Sequence, residues 1–216
     1  RAPRGGLSPT PVARWSPRSR YNWWVRLTLE EIARVTGGRL AGPPGLVVDG
    51  ATMDSRALRP GQLFVALRGE RDGHDFVTEA RSSGAGAVLI ERKVDGLPSV
   101  VVADSAVALT ALGAHGRDRL DEVGVAGRPV AVIGVTGSVG KTSVKDLVAS
   151  ATAVSRRTAA SLRSFNNEVG VPLTLLEAPE DTAVAVIEMG ARGRSHGADL
   201  CRLARPTIGV VTAVAL

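Results

Sequence analysis

The 216-residue chain is 44% apolar and 22% charged, enough for one large or two small domains with real cores. No apolar stretch approaches the roughly 20 residues a helical membrane span needs, which excludes that class. The net charge of +6 does not demand a polyanionic partner: six of the 27 basic residues (Arg1, Arg4, Arg14, Arg18, Arg20 and Arg26) lie in an acid-free opening segment, and the 21 that remain match the 21 acids.

That segment also holds Trp15, Tyr21, Trp23 and Trp24, so the composition changes sharply near residue 25. It suits a basic arm for nucleic acid or anionic lipid, but its Pro, Arg, Ser and Gly content fits disorder, and a start assigned too far upstream is the simpler reading. Residues 1–25 are therefore set aside as a disordered or mis-assigned extension, and neither nucleic acid nor membrane insertion is expected. The lone Cys201 excludes an internal disulfide and fits a reducing cytosol.

Thr28 and Glu31 form a capping box ahead of Leu29, Ile32, Ala33 and Val35, and Gly37-Gly38 ends that helix. Strands are predicted at 46–48, 63–67, 87–90 and 100–102, with a helix over 75–83, so residues 26–104 read as a small α/β domain. A helix over 106–116 and a polar, Gly-containing stretch over 117–129 read as a connection to a second domain at 130–216. That domain opens with the apolar run Val130–Val135, which suits a strand buried on both faces. After a turn, Val144, Leu147, Val148 and Ala151 recur on one face of a helix. Buried strands follow at 183–187 and 207–211, with a short one near 158–162 and a helix over 198–204. The fold class is α/β: a small α/β domain, then a doubly wound parallel sheet of P-loop type that looks cut off at residue 216.

Residues 136–143, Thr-Gly-Ser-Val-Gly-Lys-Thr-Ser, fill the turn between that first strand and its helix. Small residues at 137, 138 and 140 let backbone N–H groups curl round a phosphate at a helix N-terminus. Gly137, Ser138, Val139, Gly140 and Ser143 would line it, Lys141 would reach the outer phosphates, and the Thr142 hydroxyl would ligate Mg²⁺. Val135 replaces a glycine of the strict pattern, so the loop is a variant; an ordinary Gly-rich turn is the plain alternative.

Glu188 ends a predicted strand of the same sheet, where open α/β sheets hold ligands, and is a second candidate for Mg²⁺; otherwise it is a solvated strand-end carboxylate. Asn166 and Asn167 suit either phosphate recognition or a capped turn, and the turn is the simpler reading. In the first domain, Asp54-Ser55-Arg56 and Asp72-Gly73-His74-Asp75-Phe76 flank strands. Arg56 and Ser55 suit a diphosphate. Asp75 suits a helix N-cap as well as a site, and His74 alone reads as a hydrogen-bonded loop residue.

Taken together and in order, Asp54-Ser-Arg56, Pro60-Gly61 before Leu63–Leu67, Asp72–Phe76, the loop 136–142, Asn166–Leu176 and Glu188-Met-Gly-Ala191 resemble the ATP-dependent Mur ligases of bacterial cell-wall synthesis. The loop of that family also lacks the glycine replaced by Val135. Lys145-Asp146, Asn166–Leu176 and Glu188–Ala191 are most similar to the members that add D-alanyl-D-alanine. The alternatives are the sister ligase that adds the third amino acid, a non-catalytic UDP-sugar-binding fragment and a small P-loop kinase or GTPase; the last needs none of the upstream clusters.

The resemblance implies that ATP phosphorylates the terminal carboxylate of a UDP-N-acetylmuramoyl tripeptide and that D-alanyl-D-alanine attacks the acyl phosphate. It implies a cytoplasmic monomer using ATP and Mg²⁺. Lys141 and Glu188 would carry the catalysis, with Thr142 and Glu188 at the metal. Asn166 and Asn167 would line the ATP site, while Asp54, Ser55, Arg56, Gly73, His74 and Asp75 would bind the UDP end. Ser195-His196-Gly197 and Ala213 depart from the family pattern. The chain stops before the family's carbamylated lysine and its C-terminal domain, so on this comparison it reads as an amino-terminal portion that is inactive alone.

Overall fold

The computed structural model describes residues 24–125, 127–162, 165–190 and 196–214. Residues 1–23 of the proposed extension and Ser195 lie outside them. Eleven strands and six α-helices among the described residues form two main sheets and a two-stranded ribbon.

The ribbon pairs β1 (Arg26–Thr28) antiparallel to β3 (Val47–Asp49). Between them run α1 (Leu29–Thr36) and β2 (Arg39–Ala41). The Thr28–Glu31 capping box starts α1, and Gly37 closes it in the left-handed region. The first main sheet has the order β2-β7-β6-β5-β4, from β4 (Ala51–Thr52), β5 (Leu63–Val65), β6 (Ala87–Ile90) and β7 (Ser99–Val101), with β2 antiparallel on one edge and the other four parallel. Alternation along the strands splits their side chains. Phe64, Val88 and Ile90 face a small core with Val77 and Ala80 of α2 (Val77–Ser82), whereas Leu63, Val65, Leu89 and Val100 join the main core under α1 and α3 (Ser105–Val123).

The second sheet is wholly parallel, β11-β8-β10-β9, from β8 (Ala131–Thr136), β9 (Thr158–Ala160), β10 (Val184–Glu188) and β11 (Ile208–Val211). Ile133, Val135, Val184 and Val186 face α4 (Lys141–Ala153). Val132, Ala185 and Ile187 face the other way, into the core shared with α5 (Gly170–Leu176) and α6 (His196–Ala204). That core is continuous from Leu29 of α1 through Leu109 and Leu112 of α3 to Leu175 of α5.

Several expectations need correcting. The stretch 117–129 is not a linker throughout: α3 continues to Val123, with Leu120 buried. The expected helix over 75–83 is a 3-10 turn, Gly73–Phe76, leading into α2. The apolar stripe of α4 is rotated: Leu147 is 70% exposed and Ala151 is exposed, while Lys145 is the buried residue. The strand over 207–211 is a sheet edge rather than a buried strand, with Ile208 and Val211 more than half exposed. Finally, Trp24 and Val25 belong to the folded unit. Val25 is buried, donates its N–H to Ala178 O at 3.2 Å and accepts from Gly50 N–H at 3.1 Å; Trp24 pairs with Pro179 and lies under the Arg59 guanidinium.

Candidate active site

Parallel strands present their carboxyl ends on one edge, and each main sheet gathers polar residues there. In the second sheet the register places Glu188 beside Val135, one residue before β8 passes into the phosphate loop. Gly137 has φ +135° and Gly140, the residue before α4, φ +85°. A side chain at Gly137 would put its Cβ 2.1 Å from Thr212 Oγ1, so only glycine fits.

Residues after β11 lean on the loop. Ser138 donates its N–H to Ala213 O at 2.6 Å, and Thr212 Oγ1 donates to Val139 O at 2.7 Å. The Ser138 amide is thus engaged by this contact. Lys141 curls over the loop, its Nζ 2.6 Å from Gly137 O and 3.3 Å from Ser138 O. Ser143 is exposed on the first turn of α4.

The Glu188 carboxylate is nearly inaccessible, at 1% exposure. Thr142 Oγ1 donates to Oε2 at 2.8 Å and Asn166 Nδ2 to Oε1 at 2.8 Å. Thr142 and Asn166 are thus joined on Glu188 at the start of the helix that Lys141 opens, and the solvated reading of Glu188 does not hold. Asn167 behaves differently: its Oδ1 accepts from the N–H of Val169 at 3.3 Å and Gly170 at 2.9 Å, the turn that leads into α5.

The first sheet carries the other cluster at its own carboxyl edge. Asp54 grips Arg56 twice, Nε to Oδ1 and Nη2 to Oδ2, both at 2.9 Å. The pairing raises the guanidinium pKa further and leaves three of its five N–H donors uncommitted to Asp54. Ser55 is buried and donates to Glu79 Oε2 at 2.8 Å. Gly73 is required by close approach, since a Cβ there would lie 2.6 Å from Leu67 N.

His74 is a strut. Its Nε2 accepts the Glu91 N–H at 3.0 Å, which places the ring proton on Nδ1, 2.5 Å from Asp72 Oδ1. Asp72, not Asp75, caps the 3-10 turn, through the His74 N–H. That backbone hydrogen bond, then the His74 ring and Arg92, lower the Asp72 pKa to about 2. Asp75 is exposed, 3.7 Å from Arg92. Arg56, Arg68, Arg71, Arg92 and Lys93 follow β4, β5 and β6 at this edge, interleaved with acids: Arg56 pairs with Asp54, Arg68 with Glu91, Arg92 with Asp72 and Asp75, and Lys93 with Asp95.

Sequence reasoning passed over Asp72 as the cap, Glu91, Ser161, Thr212 and Glu177. Glu91 accepts from the Ser105 N–H and pairs with Arg68. Glu177 bonds Arg59, Gln62 and the Ala51 N–H across the two units. Asp72 is defined by His74, two residues on, whereas the other four are defined by partners far along the chain.

Residues 47–130 match the Mur ligase family, catalytic domain, and residues 135–215 the Mur ligase middle domain. The chain is 38% identical over 193 residues to the UDP-N-acetylmuramoyl-tripeptide--D-alanyl-D-alanine ligase of Escherichia coli, covering 88% of this chain and 41% of that protein. It is 40% identical over 194 residues to the ligase of the same name in Bacillus subtilis, covering 87% and 41%. It therefore spans about two fifths of the length of these relatives.

A crystal structure of MurF from Acinetobacter baumannii superposes with a TM-score of 0.74 at 29% identity, covering 88% of this chain and 41% of that one. MurF ligase from Thermotoga maritima in complex with ADP gives 0.63 at 32%, covering 78% and 38%. With the loop and the strand-end glutamate set on these two adjoining matched regions, the chain belongs to the Mur ligase family.

Proposed function

We propose that this chain supplies the UDP-substrate module and the ATP-binding centre of a ligase that joins D-alanyl-D-alanine to a UDP-N-acetylmuramoyl tripeptide, working as a monomer in the bacterial cytoplasm. The observation that carries the reading is the contact between Thr142 Oγ1 and Glu188 Oε2 at the foot of the phosphate loop. A hydroxyl and a buried carboxylate side by side, with Asn166 fixing the second carboxylate oxygen, form the hard-oxygen donor set that Mg²⁺ takes together with phosphates and water. Among the described residues no larger group of ligating side chains competes with it. Magnesium held by Thr142 and Glu188 would supply charge neutralisation on the phosphate oxygens.

The rest of the chemistry falls to the chain's own groups. The loop amides and the N-terminus of α4 bind and orient the triphosphate. Lys141 turns from the loop carbonyls to the γ-phosphate and offsets the charge that grows as the substrate carboxylate attacks phosphorus and ADP leaves. The acyl phosphate then loses inorganic phosphate to the incoming amine. At the first sheet, Arg56, oriented by Asp54, meets the diphosphate of the UDP end; the Arg56–Asp54 pair is exposed and screened by solvent, so it can rearrange round a ligand. Gly73 and His74 shape the neighbouring loop.

Titration calorimetry with UDP-N-acetylmuramoyl tripeptide, beside UDP-glucose as control, tests the reading. Selective binding is expected, weakened in Arg56→Ala and spared in Lys141→Ala, with the converse for ATP. A folded chain that binds neither ligand overturns it.

A further inference from the structure

Lys145 is the buried residue of α4, at 2% exposure, although Val144 and Val148 beside it are only partly covered. A helix that places an ammonium deeper than its valines is not doing so for packing, because a buried charge is costly unless bonded. The Lys145 ammonium donates to Ser161 O at 2.8 Å and lies 2.9 Å from Asp146 Oδ1.

Ser161 follows β9, is 2% exposed, and has every polar group engaged. Its N–H donates to Val186 O at 3.1 Å, its carbonyl accepts from Lys145, and its hydroxyl accepts the Glu188 N–H at 3.1 Å. The backbone of Glu188 is thus held on the β9 side by Ser161, while its neighbour Met189 donates to Val135 O at 2.8 Å on the β8 side. A chain of contacts runs from the second turn of α4 through Ser161 to the carboxylate that meets Thr142.

Resting on the ligase reading above, we propose that Lys145 is a positioning residue for the magnesium–nucleotide site, fixing Glu188 through Ser161. It touches no reacting atom. Its role is to lock the end of β9 so that the Glu188 carboxylate meets Thr142 one turn back along the same helix. Groups that orient a metal's ligands characteristically change metal affinity by about 10–100-fold when removed.

The test is calorimetric titration of the full chain with ATP, in EDTA and across a Mg²⁺ series, for wild type, Lys145→Met and Ser161→Ala, each checked for folding by circular dichroism. Ser161→Ala removes only the hydroxyl facing Glu188 and decides the matter if Lys145→Met does not fold. The expected result is a Mg²⁺ requirement raised about 10–100-fold in the folded variants, with ATP affinity in EDTA unchanged. Wild-type Mg²⁺ dependence in the variants, or an equal loss with and without Mg²⁺, overturns the positioning role alone. A wild-type chain that binds no ATP overturns the ligase reading and this role with it.

Discussion

Replacing Glu177 with alanine tests how the two sheets are held together. Its carboxylate accepts from the Ala51 N–H at 3.0 Å, Gln62 Nε2 at 2.7 Å and Arg59 Nη2 at 2.5 Å, and its side chain is only 17% exposed. The alanine leaves two neutral donors without their acceptor, at about 1–3 kcal/mol each. Arg59, with 32% of its side chain exposed, can turn towards water and adds little. The expected loss is about 2–6 kcal/mol, a large share of the roughly 5–15 kcal/mol that holds a native protein together.

With an m-value of about 2 kcal/mol per molar urea, the unfolding midpoint falls by about 1–3 M, followed through tryptophan fluorescence. Glu177→Gln adds the pH dependence. Burial raises the Glu177 pKa above 4.5 despite its three donors, so the folded state keeps this proton where the unfolded state releases it. The stability it contributes is complete below 4.5 and is lost as pH rises through the raised value. The margin of wild type over the glutamine variant should therefore shrink on going from acid to neutral pH. An alanine midpoint within about 0.2 M of wild type would refute the reasoning.

Gly137→Ala is expected to weaken ATP binding by about tenfold or more in calorimetry, because the new Cβ meets Thr212 at an unfavourable φ; unchanged affinity counts against the loop geometry. In His74→Leu, which keeps the backbone N–H bonded to Asp72, the Asp72 carboxyl should climb only part of the way from about 2 towards 3.8 in a carbon-13 NMR titration. Wild type keeps this stabilising contact above pH 3.8 and loses it as pH falls through about 2, whereas a stationary Asp72 would place the cause elsewhere. The two adjacent asparagines should separate: Asn166→Ala lowers Mg²⁺-dependent ATP affinity by releasing Glu188 Oε1. Asn167→Ala instead costs about 1 kcal/mol of stability, a Tm drop of about 2–4 °C, by uncapping α5. The reverse pattern would exchange their roles.

The phosphate loop was readable in the sequence because its chemistry is local: a buried strand, small residues and Gly-Lys-Thr follow one another without interruption. The central strands were readable for the same reason, since each carries its own apolar run, whereas β2 and β4 were not foreseen and the strand expected at 46–48 pairs in the ribbon. What escaped depends on partners distant in sequence. The second half of α3 looks like a linker because Gly113, Gly116 and a charged run interrupt the pattern. Yet a Cβ at Gly113 would sit 2.6 Å from Pro172 and one at Gly116 3.1 Å from Leu176, so these glycines let α3 and α5 approach closely.

Helix α5 itself hides behind Gly170 and Pro172, which read as turn residues. The α4 stripe pointed to Leu147 because periodicity ranks residues by hydrophobicity, and it cannot foresee a lysine bonded to a serine sixteen residues on. Trp24 and Val25 were set aside with a basic segment on composition, while their partners lie at residues 178 and 179.

That last contact bears on the order in which the protein assembles. Val25 closes the edge of the first unit against Ala178, with Glu177 gripping Ala51, Arg59 and Gln62 beside it. During synthesis at about 5–20 residues per second, roughly 150 further residues must be made before those partners exist, a wait of about 8–30 s. From the completion of β7 at Val101 until α5 is made, the five-stranded sheet has its own strands but lacks the helix that covers part of its core. Early folding is therefore provisional, and the first half of the chain acquires its final protection only when the second half arrives.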